Sequence, residues 1–263
     1  MSKHRRVWNA SIYEKFVHEG RGQGTGMDYN PWIHIQDFPS LGMVSRVPGT
    51  TTGRVHHLMS NLELSLFYLL DWSDDVLDIR EQYPLLDLNR AIEIAEEARI
   101  RYPYDAISGF PYVMTSDFII EKKDGISAIA VKPASELKKP RVREKLEIER
   151  RYWASYNVKW GLVTENEINR TKARNIEWLS QAKSLSDFGL CGSLQIACIS
   201  FFLARYSFYY DAPGQLFLET ERQFNLDSGM GLNIYKHLIY LKQIHIDINE
   251  PIELAVSARK PAV

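Results

Sequence analysis

The sequence has 263 residues, 45% of them hydrophobic, which is ample for a folded core and suggests one large or two medium domains. Its 32 Lys and Arg nearly cancel its 33 Asp and Glu, so no global charge advertises a nucleic-acid partner and that case rests on local charge. The two cysteines, Cys191 and Cys198, have no second pair and suit a reduced compartment and a helix face better than a zinc site.

No secretory signal or apolar run of about 18 residues is present, so a soluble, cytoplasmic protein with no membrane contact is expected. The basic tetrad Lys3-His4-Arg5-Arg6 precedes a short helix over 11–19, with Ser11 and Glu14 at capping-box spacing. Glu19 to Gly26 follows, with four glycines and Arg21. Its amides are free to approach a phosphate, or it is an ordinary surface loop. It is no Walker loop, because no Gly-Lys-Ser/Thr follows and no strand precedes it. Residues 31–58 are mixed, with Pro39, Pro48 and 50–54 as turn signals. His56 and His57 are adjacent and point to opposite sides of an extended chain, which argues against a metal pair and leaves one to contact DNA or fill core.

Ser60 to Asp71 carries the helical stripe Leu62, Leu66, Leu69 and Leu70. Ser60 and Glu63 again have capping-box spacing, so Glu63 is a cap or a carboxylate offered from the first turn to a neighbouring site. Residues 76–86 alternate as a strand, 89–101 read as a helix, and 102–109 form a loop. Ser116 to Pro133 organises the rest. Asp124-Gly125 between two β-branched runs predicts a hairpin. Asp117 lies on its first strand and Lys132 at the end of its second, on one face with Ala128 and Ala130, so acid and amine can converge. A carboxylate binds a hard cation and a lysine steadies an attacking water or developing charge, the minimum equipment for metal-assisted phosphodiester cleavage.

Residues 140–156 form a helix with Val142, Leu146 and Trp153 inside. Segment 138–159 carries eight Lys and Arg, including Lys138, Lys139, Arg141 and Arg143, against Glu144, Glu147 and Glu149. It is either a solvated face or one that tracks phosphates. A short strand over 158–163 and a capping-box pair, Thr164 and Glu167, close the region. The order across 60–163 is αβββαβ, the α/β core of restriction-endonuclease-like (PD-(D/E)xK type) nucleases, an inference by fold analogy. Residues 1–168 are therefore expected to be a catalytic domain. Helices at 175–183, 190–206 (with Cys191 and Cys198 on one face), 213–224 and 231–241 and a strand at 244–248 suggest a smaller, mostly helical, winged-helix-like domain over 169–263, for partner and DNA contacts. The polar tail from Pro251 is free to fray.

Several motifs carry a resemblance. They include Glu19-Gly20-Arg21-Gly22-Gln23-Gly24, Asp28-Tyr29-Asn30-Pro31-Trp32, Thr52-Gly53-Arg54-Val55-His56-His57-Leu58, Ser116-Asp117-Phe118, Val131-Lys132-Pro133-Ala134 and Glu147-Ile148-Glu149-Arg150-Arg151-Tyr152-Trp153. In order, over about residues 11–180, they resemble the TnsA family, the endonuclease subunit of the heteromeric transposase of bacterial cut-and-paste transposons. The resemblance is weaker beyond, where Asn233-Ile234-Tyr235-Lys236 carries it. It implies Mg²⁺, with Mn²⁺ able to substitute, held by Glu63, Asp117 and the main-chain carbonyl of Val131, with Lys132 as the catalytic lysine. It implies cleavage of the 5′ strands of double-stranded DNA at transposon ends, in the bacterial nucleoid. An integrase-type transposase would cut and join the 3′ ends, and an ATP-dependent regulator would select targets.

One departure stands out. The fold's pattern places Glu or Gln two residues before the lysine, and here that residue is Ala130. Either water fills the gap, or Glu149 reaches in from the next helix as a metal ligand, or metal affinity falls and cleavage leans on partners. Around such a site Arg21, Arg54, His57, Lys138, Lys139, Arg141 and Arg143 are the candidate DNA contacts. The alternatives are a stand-alone nuclease of the same fold and a nuclease-fold scaffold that binds DNA and transposase partners.

Overall fold

The computed structural model describes residues 7–37, 43–209, 213–252 and 254. The tetrad at 3–6, Pro39 and most of the polar tail lie outside the described residues. In chain order the elements are α1 (Ala10–His18), β1 (Ser45–Pro48), β2 (Val55–Leu58), α2 (Asn61–Asp71), β3 (Val76–Pro84), α3 (Leu88–Glu97), β4 (Thr115–Lys122), β5 (Gly125–Val131), α4 (Pro140–Ser155), β6 (Lys159–Val163), α5 (Arg170–Ser180), α6 (Gly192–Tyr206), α7 (Pro213–Phe224) and α8 (Met230–Tyr240). Short 3₁₀ turns fill several of the connections. Residues Met1–Ile168 and Asn169–Val263 form two compact units. No helix among the described residues is long and apolar enough to cross a membrane.

The first unit is built on a four-stranded sheet of order β3-β4-β5-β6. β3/β4 and β4/β5 are antiparallel, and β5/β6 is parallel. A parallel pair needs a crossover, and α4 supplies it. The β4–β5 turn is Lys123-Asp124, with Gly125 at φ +130°, a conformation that only glycine takes without strain. Period-2 alternation then sends side chains to two faces. Phe118 and Ile120 pack with Ile79 and Val131 against Phe67 of α2. Ile119 and Ala128 pack on the other face against Ala91 and Ile94 of α3 and Ile148 and Tyr152 of α4. Phe67 and Phe118 are fully buried, which contributes about 1.5–3 kcal/mol each. Trp8, Phe16 and Trp32 form a separate aromatic cluster under α1.

Several expectations are corrected. α1 starts one residue earlier than expected and is capped by Asn9, whose side chain accepts from Ile12 N, so Ser11 and Glu14 form no capping box. Within segment 31–58, read as mixed with turn signals, residues 45–58 form the β1/β2 hairpin. α5 begins at Arg170 because Asn169 caps it, accepting from Lys172 N. Cys191 is the exposed residue before α6, whereas Cys198 is buried within it, so the two share no helix face.

Residues 244–248 form no strand, and the described residues of the second unit contain none. Ile244 and Ile248 are buried, and Asn175 Nδ2 donates to the carbonyls of Ile248 and Glu250 at 2.9 and 2.7 Å. An alternating pentapeptide becomes a strand only beside a partner edge, and here a side chain meets its backbone groups instead. The second unit is helical, and the wing of the expected winged helix is absent from its described residues.

Candidate active site

Strand alternation breaks beside Asp117. Glu81 and Phe118, paired across β3 and β4, face α2: Phe118 packs with Phe67, and Glu81 meets His56, whose ring contacts Phe67. Tyr83 and Ser116, paired two residues further along the ladder, face α4. Between them Gln82 takes φ +49°, a left-handed conformation that costs a non-glycine residue on the order of 1–3 kcal/mol. Its carbonyl accepts from Trp32 N at 3.3 Å, outside the sheet. Asp117 lies opposite this break. Carboxylates from helices on both faces of the sheet therefore come within electrostatic reach of it, Glu63 from α2 and Glu149 from α4.

Glu63 has two roles in the geometry. It completes the cap of α2: Ser60 Oγ accepts from Glu63 N, while Glu63 accepts from Ser60 Oγ and from Met59 N, both at 2.9 Å. It is also only 5% exposed, and burial together with the charge of Asp117 pushes its carboxyl up to about 7. Gln82 Nε2 donates to its Oε2 at 3.3 Å, and Thr115 Oγ1 holds the other end of that carboxamide.

Asp117 Oδ2 accepts from Val131 N at 2.6 Å and from Lys132 Nζ at 2.7 Å. The same ammonium donates to the Val131 carbonyl at 2.9 Å. Burial pulls the Lys132 amine down, but the carboxylates around it, Asp117 first, outweigh burial and raise it. Glu149 is 4% exposed and accepts from Ser116 Oγ at 2.6 Å, and Ser116 Oγ in turn accepts from Trp153 Nε1. Burial, then Asp117, pushes this carboxyl too up to about 7.

Asp117, near the start of β4, is thus bonded to the Lys132 ammonium and lies within electrostatic reach of the buried carboxyls of Glu63 and Glu149. Two carboxyls forced up toward neutrality lack cationic charge, so the donor set suits a hard dication. Mg²⁺ is commonly bound through one or two carboxylates plus water and substrate phosphate, which Asp117, Glu63 and the Val131 carbonyl match. The Lys132 ammonium now bonds to two of those oxygens, on Asp117 and Val131. No three His, Cys, Asp or Glu side chains among the described residues form a ready-made cage. Ala130 is 1% exposed and pairs with Leu162, and its methyl offers no ligand. The carboxamide that touches Glu63 belongs to Gln82. Sequence reasoning missed this residue, because Arg80-Glu81-Gln82 reads as unbroken strand.

The candidate DNA contacts divide. Arg21 is 7% exposed; it donates to Glu19, Asp37 and the Trp32 carbonyl, with its guanidinium 3.6 Å from the Phe16 ring centroid. Its loop is packed rather than open, since a Cβ on Gly22 (φ +73°) would lie 2.2 Å from Pro84 Cγ. Arg54 donates to both oxygens of Glu81 and to the Ile79 carbonyl. Burial raises the Glu81 carboxyl, but hydrogen bonds from Arg54 and His56 prevail and hold it at about 2. Arg21 and Arg54 therefore serve the fold, a correction to the expectation that they contact DNA. His57 is half-buried, with Nδ1 accepting from Ile35 N. Lys138, Lys139 and Arg143 are exposed, Lys139 being paired with Glu136, and the half-exposed Arg141 is paired with Glu144.

Two family models match the chain: "TnsA-like endonuclease N terminal" over residues 73–165 and "TnsA endonuclease C terminal" over 167–248. Asp117, Lys132 and Glu149 fall inside the first match, and Glu63 precedes it. The Transposon Tn7 transposition protein TnsA of Escherichia coli is 47% identical over 171 residues, which span 64% of this chain and 62% of that protein.

Proposed function

This chain belongs to the TnsA endonuclease family, and from that premise we propose that it is the metal-dependent nuclease subunit of a transposase, cutting the 5′ strands at transposon ends. The observation that carries the proposal is the convergence of Glu63, Asp117 and Lys132 where the strand alternation breaks. The αβββαβ order and mixed sheet support a restriction-endonuclease-like core, by analogy of fold. The partners on this reading are transposon-end DNA, an integrase-type transposase that cuts and joins the 3′ ends, and an ATP-dependent target-selection regulator.

Asp117, Glu63 and the Val131 carbonyl would hold Mg²⁺ or Mn²⁺, with Glu149 as a further ligand. Bound there, the ion would acidify a water and polarise the scissile phosphoryl group. Lys132 supplies a fixed positive charge beside Asp117, and its side chain is 35% exposed toward an incoming strand. There it orients the attacking water and offsets the negative charge that develops on the phosphate. Gln82 adds a third hydrogen bond to the Glu63 carboxylate, on the oxygen that also accepts from Met59 N. Ser116 and Trp153 fix Glu149 in the same way.

The test is strand-specific nicking of transposon-end DNA with Mg²⁺ and Mn²⁺, with and without the partner transposase. Cleavage of the 5′ strand that is lost in Asp117→Ala and Lys132→Ala is the expected result. Cleavage with no partner at all would favour a stand-alone nuclease. DNA and partner binding without metal-dependent nicking would favour the scaffold that Ala130 suggests. Wild-type cutting by either variant would overturn the residue assignment.

A further inference from the structure

Helix α4 carries Arg141, Lys145 and Glu149 four residues apart, a single stripe on one face. One end of the stripe is the buried carboxylate of Glu149, at the site. The other end opens into a cavity of about 390 Å³. Arg141, Glu144 and Lys145 line it from α4, and Arg101 and Tyr104 line it from the loop after α3. Three cations thus face one carboxylate, and Glu144 is already engaged by Arg141 at 2.8 Å. Arg101 and Lys145 are exposed and have no hydrogen bond or ion pair among the described residues. Lys145 lies within electrostatic reach of Lys132, and burial followed by the like charges of Arg141 and Lys132 holds its ammonium below the ordinary lysine range. Gathering like charges costs free energy that a bound anion relieves.

Four helical residues rise about 6 Å, so Lys145 sits one turn along α4 from the carboxylate that reaches Asp117. A strand whose scissile phosphate lay at Asp117 and Lys132 would carry a neighbouring phosphate to this cavity. We propose that the cavity is a phosphate subsite for the DNA backbone next to the cleavage point, with Arg101 and Lys145 as its direct ligands and the exposed ring of Tyr104 against the adjoining sugar or base. The assignment of the neighbouring strand rests on the nuclease reading above; the anion site itself rests on the cavity and its unpaired cations. It joins to the site a segment, 101–104, that lies 40 residues from α4 in sequence and carried no functional reading there.

The experiment measures binding of the full chain to a fluorescein-labelled 30-base-pair duplex by anisotropy, in EDTA, across a salt series. It compares wild type, Arg101→Gln, Lys145→Gln, the double variant and Arg150→Gln, a control on an exposed cation of α4 that pairs with Glu147. Each cavity variant should shrink the slope of log K against log salt, the double variant by about 1 because one phosphate contact is lost, and the control by less. Their melting temperatures should not fall below the wild-type value, because neither side chain has a partner to lose and each variant removes a like charge. Wild-type slopes in the double variant, or no DNA binding by wild type, would overturn the proposal. Inorganic phosphate is titrated separately. Phosphate binding that the variants lose while their DNA slopes stay unchanged would assign the cavity to a small free anion and overturn the DNA subsite. Nicking of transposon-end DNA in Mg²⁺, with the partner transposase present, is scored independently. Slope loss without any nicking would therefore sink the nuclease reading and leave the phosphate site standing.

Discussion

Replacing Glu149 by Gln should make the first unit more stable at pH 8 and leave it little changed at pH 5. In the folded protein this carboxyl is raised from 4.5 to about 7 by burial and then by Asp117. In the unfolded chain it ionises near its ordinary value. Between those two pH values the folded state holds the extra proton, so stability falls as pH rises through this window and levels off above about 7. At 1.36 kcal/mol per pKa unit, a rise of about 2.5 units corresponds to about 3 kcal/mol lost by pH 8. Glutamine has the same shape, keeps an oxygen to accept from Ser116 Oγ and has no proton to lose. The contribution of Glu63, raised in the same direction, is present in both proteins and cancels in the comparison. For a unit of this size about 3 kcal/mol corresponds to about 6–12 °C in melting temperature. Five of the six tryptophans lie in Met1–Ile168, so tryptophan fluorescence in EDTA, from pH 5 to pH 8, follows the relevant unit. Parallel pH profiles for the two proteins would refute the reasoning, because they would mean that Glu149 ionises as a solvated carboxylate does.

Two further outcomes are expected. Arg54→Met should destabilise the protein by about 3–5 kcal/mol in urea unfolding, since it strands the fully buried Glu81 carboxylate without its guanidinium; a loss of DNA affinity at unchanged stability would instead return Arg54 to the DNA interface. Gln82→Met removes the amide that holds Glu63 while keeping the side chain's bulk. It should lower cleavage about 10–100-fold and raise the Mg²⁺ concentration needed for half-maximal rate, with circular dichroism unchanged. Wild-type rate and metal dependence would show that Gln82 serves the backbone turn alone.

Local chemistry in the sequence already determined much of the first unit. The Asp124-Gly125 turn between β-branched runs specifies the hairpin, and the hairpin alone brings Asp117 and Lys132 together, because both lie near the open end of one two-stranded ladder. The spacing of Ser60 and Glu63 specifies a helix start, and the structure realises that cap with the same carboxylate buried toward Asp117. Helical periodicity likewise placed α4 and most of the second unit, since an amphipathic stripe depends only on residues a few positions apart.

What the tertiary structure decided are the pairings between residues far apart in the chain. Arg21 with Asp37, and Arg54 with Glu81, turn two candidate DNA contacts into buried struts. The left-handed Gln82 breaks an alternation that the sequence continues without interruption, and only that break admits carboxylates from both faces of the sheet. Ile244 to Ile248 has the pattern of a strand but no partner edge, so its backbone bonds to Asn175 instead. In each case the residue's own chemistry left several partners open. The choice among them depends on which buried group would otherwise stay unpaired, and that is settled only when the whole chain packs.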